Sequence, residues 1–367
     1  MHRRPQQSRL SEPWSGPDPA ESGPAESARP ADPARAAELS ARGVHGRGHA
    51  AAGAGLRRCL AGYPARAHRR GALLQSARRH RRPGLAWGRV IGVTGERDGS
   101  RSGILGSRGP DYDYKIYGLQ AGVDLYRQAN ANGSMDYAGV YAAYGRATAD
   151  VDHLDGRSAG QAAMNGVTLG GYWTHIGQQG WYVDAVIQGT RYDVDNGRSP
   201  AGLNLDTRGF GFASSLEGGY PFRLNEEWVI EPQAQLVYQN INLNDANDGA
   251  AKIRFSDVDS LRGRLGVRLA RTVELEPGQG DKRRVATTWL RASLVNEFLA
   301  QPTTRFSSQD GYVPFRADMK GVSAQFNLGV DVGVKRNLSF YGSIGAETSL
   351  EGDGHSLNGK LGLKVAF

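Results

Sequence analysis

The sequence predicts an all-β chain: a 12-stranded antiparallel transmembrane β-barrel over residues 86–367, behind a disordered tail over residues 1–85. Three observations carry this reading. The last eleven residues, Leu357 to Phe367, alternate strictly between an apolar and a polar or small face, the period of a strand. The connections between such segments alternate between long and short. No apolar run approaches the roughly 18 residues that a membrane helix needs. A mean hydropathy of −0.51 still permits a barrel, whose strands alternate and so stay polar on average.

The tail comes first in the chain. Residues 1–85 hold 16 Arg, no Lys and 6 acidic side chains, a local charge of +10, while the remaining 282 residues hold 29 basic and 31 acidic side chains, a charge of −2. The basic balance of the whole chain therefore belongs to the tail and does not argue for a nucleic-acid partner. The tail lacks Ile, Phe, Lys, Asn and Thr, so it cannot bury enough apolar surface to offset chain entropy. A GC-rich gene read in a wrong frame also gives such a residue set, and the composition changes abruptly near Leu85. A short helix is expected over 72–80, stopped by Pro83 and Gly84. The first 30 residues have no apolar core of the kind a signal peptide carries. The single Cys59 also lies in the tail, so the rest of the chain can form no disulfide of its own.

From Trp87 onward twelve alternating segments follow, at about 86–95, 113–127, 135–151, 163–177, 180–194, 207–223, 227–243, 259–275, 285–300, 317–334, 338–350 and 355–367. The second sets Tyr117, Leu119, Ala121, Val123 and Leu125 against Gln120 and Asp124. The seventh sets Trp228, Ile230, Ala234, Leu236 and Tyr238 against Glu231, Gln233, Gln235 and Gln239. The tenth sets Val322, Ala324, Phe326, Leu328, Val330, Val332 and Val334 against Ser323, Gln325, Asn327 and Asp331. The third and ninth leave two registers open.

The connections separate a sandwich from a membrane barrel. Short ones near 128–134, 177–179, 224–226, 276–284 and 335–337 alternate with long ones that include 96–112, 152–162, 195–206, 244–258 and 301–316. Outer-membrane barrels have short periplasmic turns and long external loops, and an even strand number puts both ends on the periplasmic side. Trp87, Trp181, Trp228 and Trp289 begin odd-numbered segments and Trp173 nears the end of an even one, so all five map to the short-turn rim with Phe367. That is the expected aromatic girdle.

The interior is expected to carry Asp124, Asp184, Glu217, Glu231, Asp331 and Glu347 together with Arg262, Arg264 and Arg268, all opposite the apolar residues. They read as a polar, water-filled lumen with internal ion pairs. They also read as a charged sleeve to which a passing chain or a plugging helix does not stick. No catalytic, cofactor-binding or metal-binding constellation stands out. His153, His175 and His355 are scattered, no nucleophile elbow or phosphate loop occurs, and the Asp-rich piece 244–248 lacks the spacing of a calcium loop.

Eight phrases in order then give a resemblance. They are Trp87-Gly-Arg, Tyr117-Gly-Leu-Gln-Ala-Gly-Val-Asp-Leu, Gly171-Tyr-Trp-Thr-His, Gly180-Trp-Tyr-Val-Asp-Ala, Ser215-Leu-Glu-Gly-Gly-Tyr-Pro, Ile230-Glu-Pro-Gln-Ala-Gln-Leu, Leu261-Arg-Gly-Arg-Leu-Gly and the terminal Gly362-Leu-Lys-Val-Ala-Phe. Over 86–367 the chain resembles the translocator β-domain of autotransporters, the type V secretion systems. The resemblance implies a barrel in the bacterial outer membrane, with a helix threading its lumen, that exports or anchors at the cell surface a passenger preceding it. It implies outer-membrane lipid, the barrel-assembly machinery and the chain's own passenger as partners, no cofactor, and no enzyme activity in the barrel. It also implies that the closing strand, with Leu361, Leu363, Val365 and Phe367, is read as an assembly signal. The chain departs from the family in showing neither a signal peptide nor recognisable β-helix repeats before the barrel. A self-standing porin or adhesin, acting through its external loops, is the alternative. An outer-membrane protease is disfavoured because the acidic and His residues Asp152, His153 and Asp155 have no second cluster to work with.

Overall fold

Side-chain alternation and antiparallel pairing dictate a closed wall. The computed structural model describes residues 85–97, 111–152, 158–195, 206–247, 251–276, 284–308, 311–316, 319–335, 337–352 and 354–367. Residues 1–84 of the expected tail, with the 72–80 helix, lie outside these residues, as does His153, while Leu85 already belongs to the first strand.

Twelve strands form the wall: β1 (Leu85–Arg97), β2 (Asp111–Ala129), β3 (Met135–Asp152), β4 (Ser158–Ile176), β5 (Tyr182–Asp195), β6 (Asp206–Gly219), β8 (Trp228–Leu243), β11 (Val258–Glu276), β12 (Arg284–Glu297), β15 (Gly321–Lys335), β16 (Leu338–Ser349) and β17 (Gly354–Ala366). Each pairs antiparallel with its neighbour in sequence along the wall. The last closes on the first, from Leu85 opposite Ala366 to Arg97 opposite Gly354. All twelve overlap the segments expected from alternation. The ambiguous third and ninth segments take the register that turns Tyr137 and Tyr141, and Trp289 and Arg291, away from the outer surface. The expected sixth segment ends early: β6 stops at Gly219, and Phe222–Arg223 forms a separate two-residue strand, β7. Pro221 between them has no N–H to donate to a ladder.

The apolar set of each strand faces outward. Leu169 is 71% exposed, Leu265 68%, Ile344 66% and Leu361 66%, which in water would be a large unpartnered apolar surface. Around it the inward residues are polar and buried, so the wall is inside-out relative to a soluble protein. β2, β4 and β11 have 19 residues and β3 has 18. At about 3.3 Å per residue they run roughly 60 Å, well past an apolar band of about 25 Å even when tilted. The surplus stands on the long-loop side.

Two of the expected loops contain strands. β9 (Ala246–Asn247), β10 (Lys252–Phe255), β13 (Thr303–Ser308) and β14 (Gly311–Arg316) form a second sheet in the order β14-β13-β10-β9. Ile253 pairs with Phe306, and the Arg254 guanidinium lies 4.4 Å from the Tyr312 ring centre. The stretches 244–258 and 301–316, read as loops, thus meet each other across the loop-side end of the wall. The tenth wall strand begins at Gly321 and the ninth ends at Glu297, leaving 298–320 to this excursion.

Candidate functional site

The lumen holds the chemistry, because every wall strand turns its polar set into it. Arg264 Nη2 lies 2.9 Å from Glu217 Oε2, with both side chains about 5% exposed. Glu217 also accepts a hydrogen bond from Tyr182 Oη at 2.6 Å. Gln233 donates to Tyr182 Oη at 3.1 Å and to Glu231 Oε1 at 2.8 Å, and Arg291 donates to Asn327 at 3.0 Å. Three strands away from Arg262, Glu347 pairs with it at 2.5 Å and accepts from Gln325 at 2.6 Å. Asp331 accepts from the Trp289 indole at 3.2 Å and lies 3.8 Å from Lys364 Nζ.

The far side of the lumen is aromatic as well as charged. Trp87, Tyr141 and Tyr172 form a buried cluster. The Trp87 indole donates to Tyr172 Oη at 3.2 Å, and that hydroxyl donates to Asp124 at 2.5 Å. Arg89 donates to Gln120 at 2.6 Å and stacks 5.3 Å from Trp87. Thr174 donates to Asp184 at 2.5 Å. Toward the long-loop end the interior turns apolar: Tyr112, Ile116, Met164, Tyr192, Ile241 and Val258 belong to one buried cluster. Across the lumen, Arg262, Glu297 and Glu347 near the loop ends of β11, β12 and β16 keep that end ionic on the other side.

All nine charged residues expected in the lumen lie on inward positions. Arg264 with Glu217 and Arg262 with Glu347 are brought together as pairs, and Arg268 stands opposite Glu231 in the β8–β11 register. Among the described residues, four further buried charges point inward and escaped the sequence reading: Arg89, Arg291, Glu297 and Lys364. Lys364 lies opposite the apolar face of Leu361, Leu363 and Val365, so alternation could have found it, whereas Arg291 and Glu297 lie in the ninth segment, whose register alternation left open.

The girdle needs correction. Trp173 and Trp181 are outward and exposed, 43% and 37%, and Trp228 is half-buried beside Arg271. Trp87 and Trp289 instead point into the lumen, 9% and 4% exposed. Their indole N–H groups find acceptors there, and each faces a glycine across the ladder, Trp87 opposite Gly122 and Trp289 opposite Gly329. Those glycines leave the space the indoles occupy: a Cβ on Gly122 would stand 2.6 Å from the Trp87 ring. Tyr141 opposite Gly170, Tyr182 opposite Gly219 and Tyr341 opposite Gly362 repeat the device. The aromatic rim on the short-turn side is completed by Tyr220, Phe222, Phe340 and Phe367, which are outward and exposed.

A test of the aromatic–glycine packing follows. Gly329→Val places a branched side chain where the Trp289 ring lies and is expected to cost about 1–3 kcal/mol by overpacking. Denaturant midpoints of folded barrel, compared with those of Gly333→Val, whose Cβ meets nothing closer than 3.8 Å, check it. Equal midpoints for the two variants would show that the glycine makes no room that the indole needs.

On the outer surface His175 Nδ1 lies 2.8 Å from Asp136, its ring 5.1 Å from Trp181, and His355 lies 3.2 Å from Glu96. Neither belongs to a nucleophile or metal arrangement; among the described residues no group of three potential metal ligands converges.

Comparison with known proteins places this geometry. The family model for the autotransporter beta-domain matches residues 86–345. The chain is 28% identical over 265 residues to the pertactin autotransporter of Bordetella bronchiseptica, covering 71% of this chain and 26% of the relative. It thus spans about a quarter of that relative's length. Among solved structures, the β-domain of the Bordetella autotransporter BrkA superposes with a TM-score of 0.60 at 22% identity, covering 78% of this chain and all of that one. The transport unit of the autotransporter AIDA-I from Escherichia coli superposes with a TM-score of 0.62 at 15% identity, covering 80% of this chain and 93% of the other. At these identities the structural matches speak to the fold.

Proposed function

This chain belongs to the autotransporter β-domain family, and from that membership we propose that it is the outer-membrane translocator of a cell-surface passenger. Residues 86–367 insert as the barrel, with the short turns in the periplasm and the long loops outside. The chain enters β1 from the periplasmic rim, so a passenger ahead of the barrel reaches the surface by way of the lumen. The partners are outer-membrane lipid around the wall, the barrel-assembly machinery that inserts it, and the passenger it exports and anchors. We assign no catalysis and no cofactor to the barrel itself.

One observation supports this reading most: a wall with exposed Leu and Ile outside encloses buried ionic residues such as Arg264 and Glu217. Such a sleeve offers an extended chain hydrogen bonds and charge without a continuous apolar surface to adhere to. The second sheet above the loop-side end favours the alternative reading, a self-standing barrel that acts through its loops.

A signal peptide and an epitope fused in front of the full chain test between them. A translocator brings the epitope to the surface, where protease added to intact cells removes it. If the epitope stays protected in cells that hold the folded, heat-shiftable barrel, the translocator reading fails and the loop-acting barrel stands.

A further inference from the structure

We propose that the outer wall of β2 to β5 carries, at its long-loop end, a binding site for the phosphates of a phosphorylated glycolipid of the outer leaflet, formed by Lys115, Arg146 and Arg191. The proposal rests on the membrane orientation given above and goes beyond translocation.

All three side chains point outward. Lys115 precedes the buried Ile116, Arg146 precedes the buried Ala147, and Arg191 lies between the buried Thr190 and Tyr192. The ladder sets them close together. Lys115 stands opposite Thr148 and Arg146 opposite Tyr117, so Lys115 and Arg146 are diagonal neighbours about 7–8 Å apart. Arg146 stands opposite Asn165 on β4, and Arg191 opposite Val167, two residues further along β4. The two arginines are therefore two strands and one side-chain step apart, roughly 12 Å between Cα atoms by strand geometry. Long side chains close much of that distance, so the group fits two adjacent phosphates better than one small anion.

The three cations are also uncompensated. Arg208 pairs with Asp193 at 3.3 Å, Arg254 with Asp245 at 3.5 Å and Arg271 with Glu227 at 2.8 Å, all exposed. Lys115, Arg146 and Arg191 have no carboxylate within 4.0 Å among the described residues. Of the nearby acids, Asp193 is engaged by Arg208 and Asp150 by Gln161 at 2.8 Å, while Asp113 stands two residues from Lys115 toward the loop end of the same face. Like charges this close repel, and a dianion relieves that cost with charge-assisted, bidentate hydrogen bonds.

What surrounds the cations points to a lipid source. Tyr117, Tyr144, Val167 and Phe210, their direct neighbours on the same face, are 62%, 52%, 58% and 59% exposed. Tyr144 is held by a hydrogen bond to Asn165 at 3.1 Å, beside Arg146. A ligand with phosphates above and acyl chains below covers both the cations and this apolar surface; a free anion covers only the cations.

The full chain, folded in detergent, is titrated with diphosphorylated lipid A, and bound copies are counted by native mass spectrometry. The triple variant Lys115→Gln/Arg146→Gln/Arg191→Gln is expected to bind at least tenfold more weakly. Arg146→Lys/Arg191→Lys should bind more weakly than the unaltered chain but more tightly than the triple variant, since the positive charge remains while the bidentate fork is lost, and Arg271→Gln at the opposite rim should bind as the unaltered chain does. The unaltered chain should bind dephosphorylated lipid A at least tenfold more weakly, an arm that needs no variant to fold. Equal binding of the two lipids, or undiminished binding by a triple variant that keeps its heat-dependent gel shift, overturns the site. Displacement of lipid A by inorganic phosphate at equimolar concentration also overturns it. Absence of any heat-dependent shift in the unaltered chain would instead overturn the membrane-barrel reading.

Discussion

Replacing Phe367 by alanine is expected to cut the amount of assembled barrel severely while making what does assemble only a little less stable. The residue lies one position beyond β17, and its ring is 69% exposed on the outer face with Leu361 and Leu363. Lipid burial of that ring contributes about 2–3 kcal/mol, and the wall is held independently by the twelve backbone pairings from β1–β17 onward. Even the local chain end has its own tie, Ala366 N donating to Asn337 O at 2.9 Å. Burial therefore cannot account for a large loss of product, whereas recognition of a terminal aromatic by the assembly machinery can. Outer-membrane yield of heat-shiftable protein and the denaturant midpoint of the purified barrel separate the two effects. A normal yield with a slightly lowered midpoint would show that the ring acts only through burial.

Breaking the Arg264–Glu217 pair is expected to have the largest effect on stability of any single lumen change. Arg264→Met leaves Glu217, 5% exposed, with the Tyr182 hydroxyl as its remaining donor in the pairings described above. Gln235 also loses the Arg264 Nε–H bond it accepts at 3.1 Å. An uncompensated buried charge costs about 3–5 kcal/mol. The double variant Arg264→Met/Glu217→Leu removes the stranded charge with its partner and should recover most of that loss. Guanidinium midpoints read from the heat-resistant gel band decide the matter. A single-variant cost below about 1 kcal/mol, that of an exposed pair, would mean that lumen water screens these charges.

Much of the wall was legible residue by residue. Glu231, Gln233 and Gln235 against Ala234, Leu236 and Tyr238 state which face of β8 is which, and the structure keeps that division. The same local reading failed at Trp87 and Trp289. Position near a rim suggested a membrane interface, yet their parity with Arg89 and Arg291 already turned them inward. What makes room for them, Gly122 and Gly329, lies on neighbouring strands and becomes visible only with the register in hand. The second sheet was missed for a related reason. β9 and β10 have two and four residues, too few to show a period, and the further partner of β10, β13, lies beyond the whole of β11 and β12 in the chain.

By itself the sequence determined the number of wall strands, their order, the apolar and polar faces of those that alternate cleanly, and the side of the long loops. These are properties of period two and of turn spacing, and both are local. Only the tertiary structure decided which inward charges meet. Arg262 reaches Glu347 across three strands, and Lys364 meets Asp331 from a strand two places away along the wall. Those meetings depend on closure and stagger, which set the relative height of residues on different strands. A one-residue slip in any ladder moves every side chain of a strand to the other face, so the pairings exist only once all twelve registers are set together.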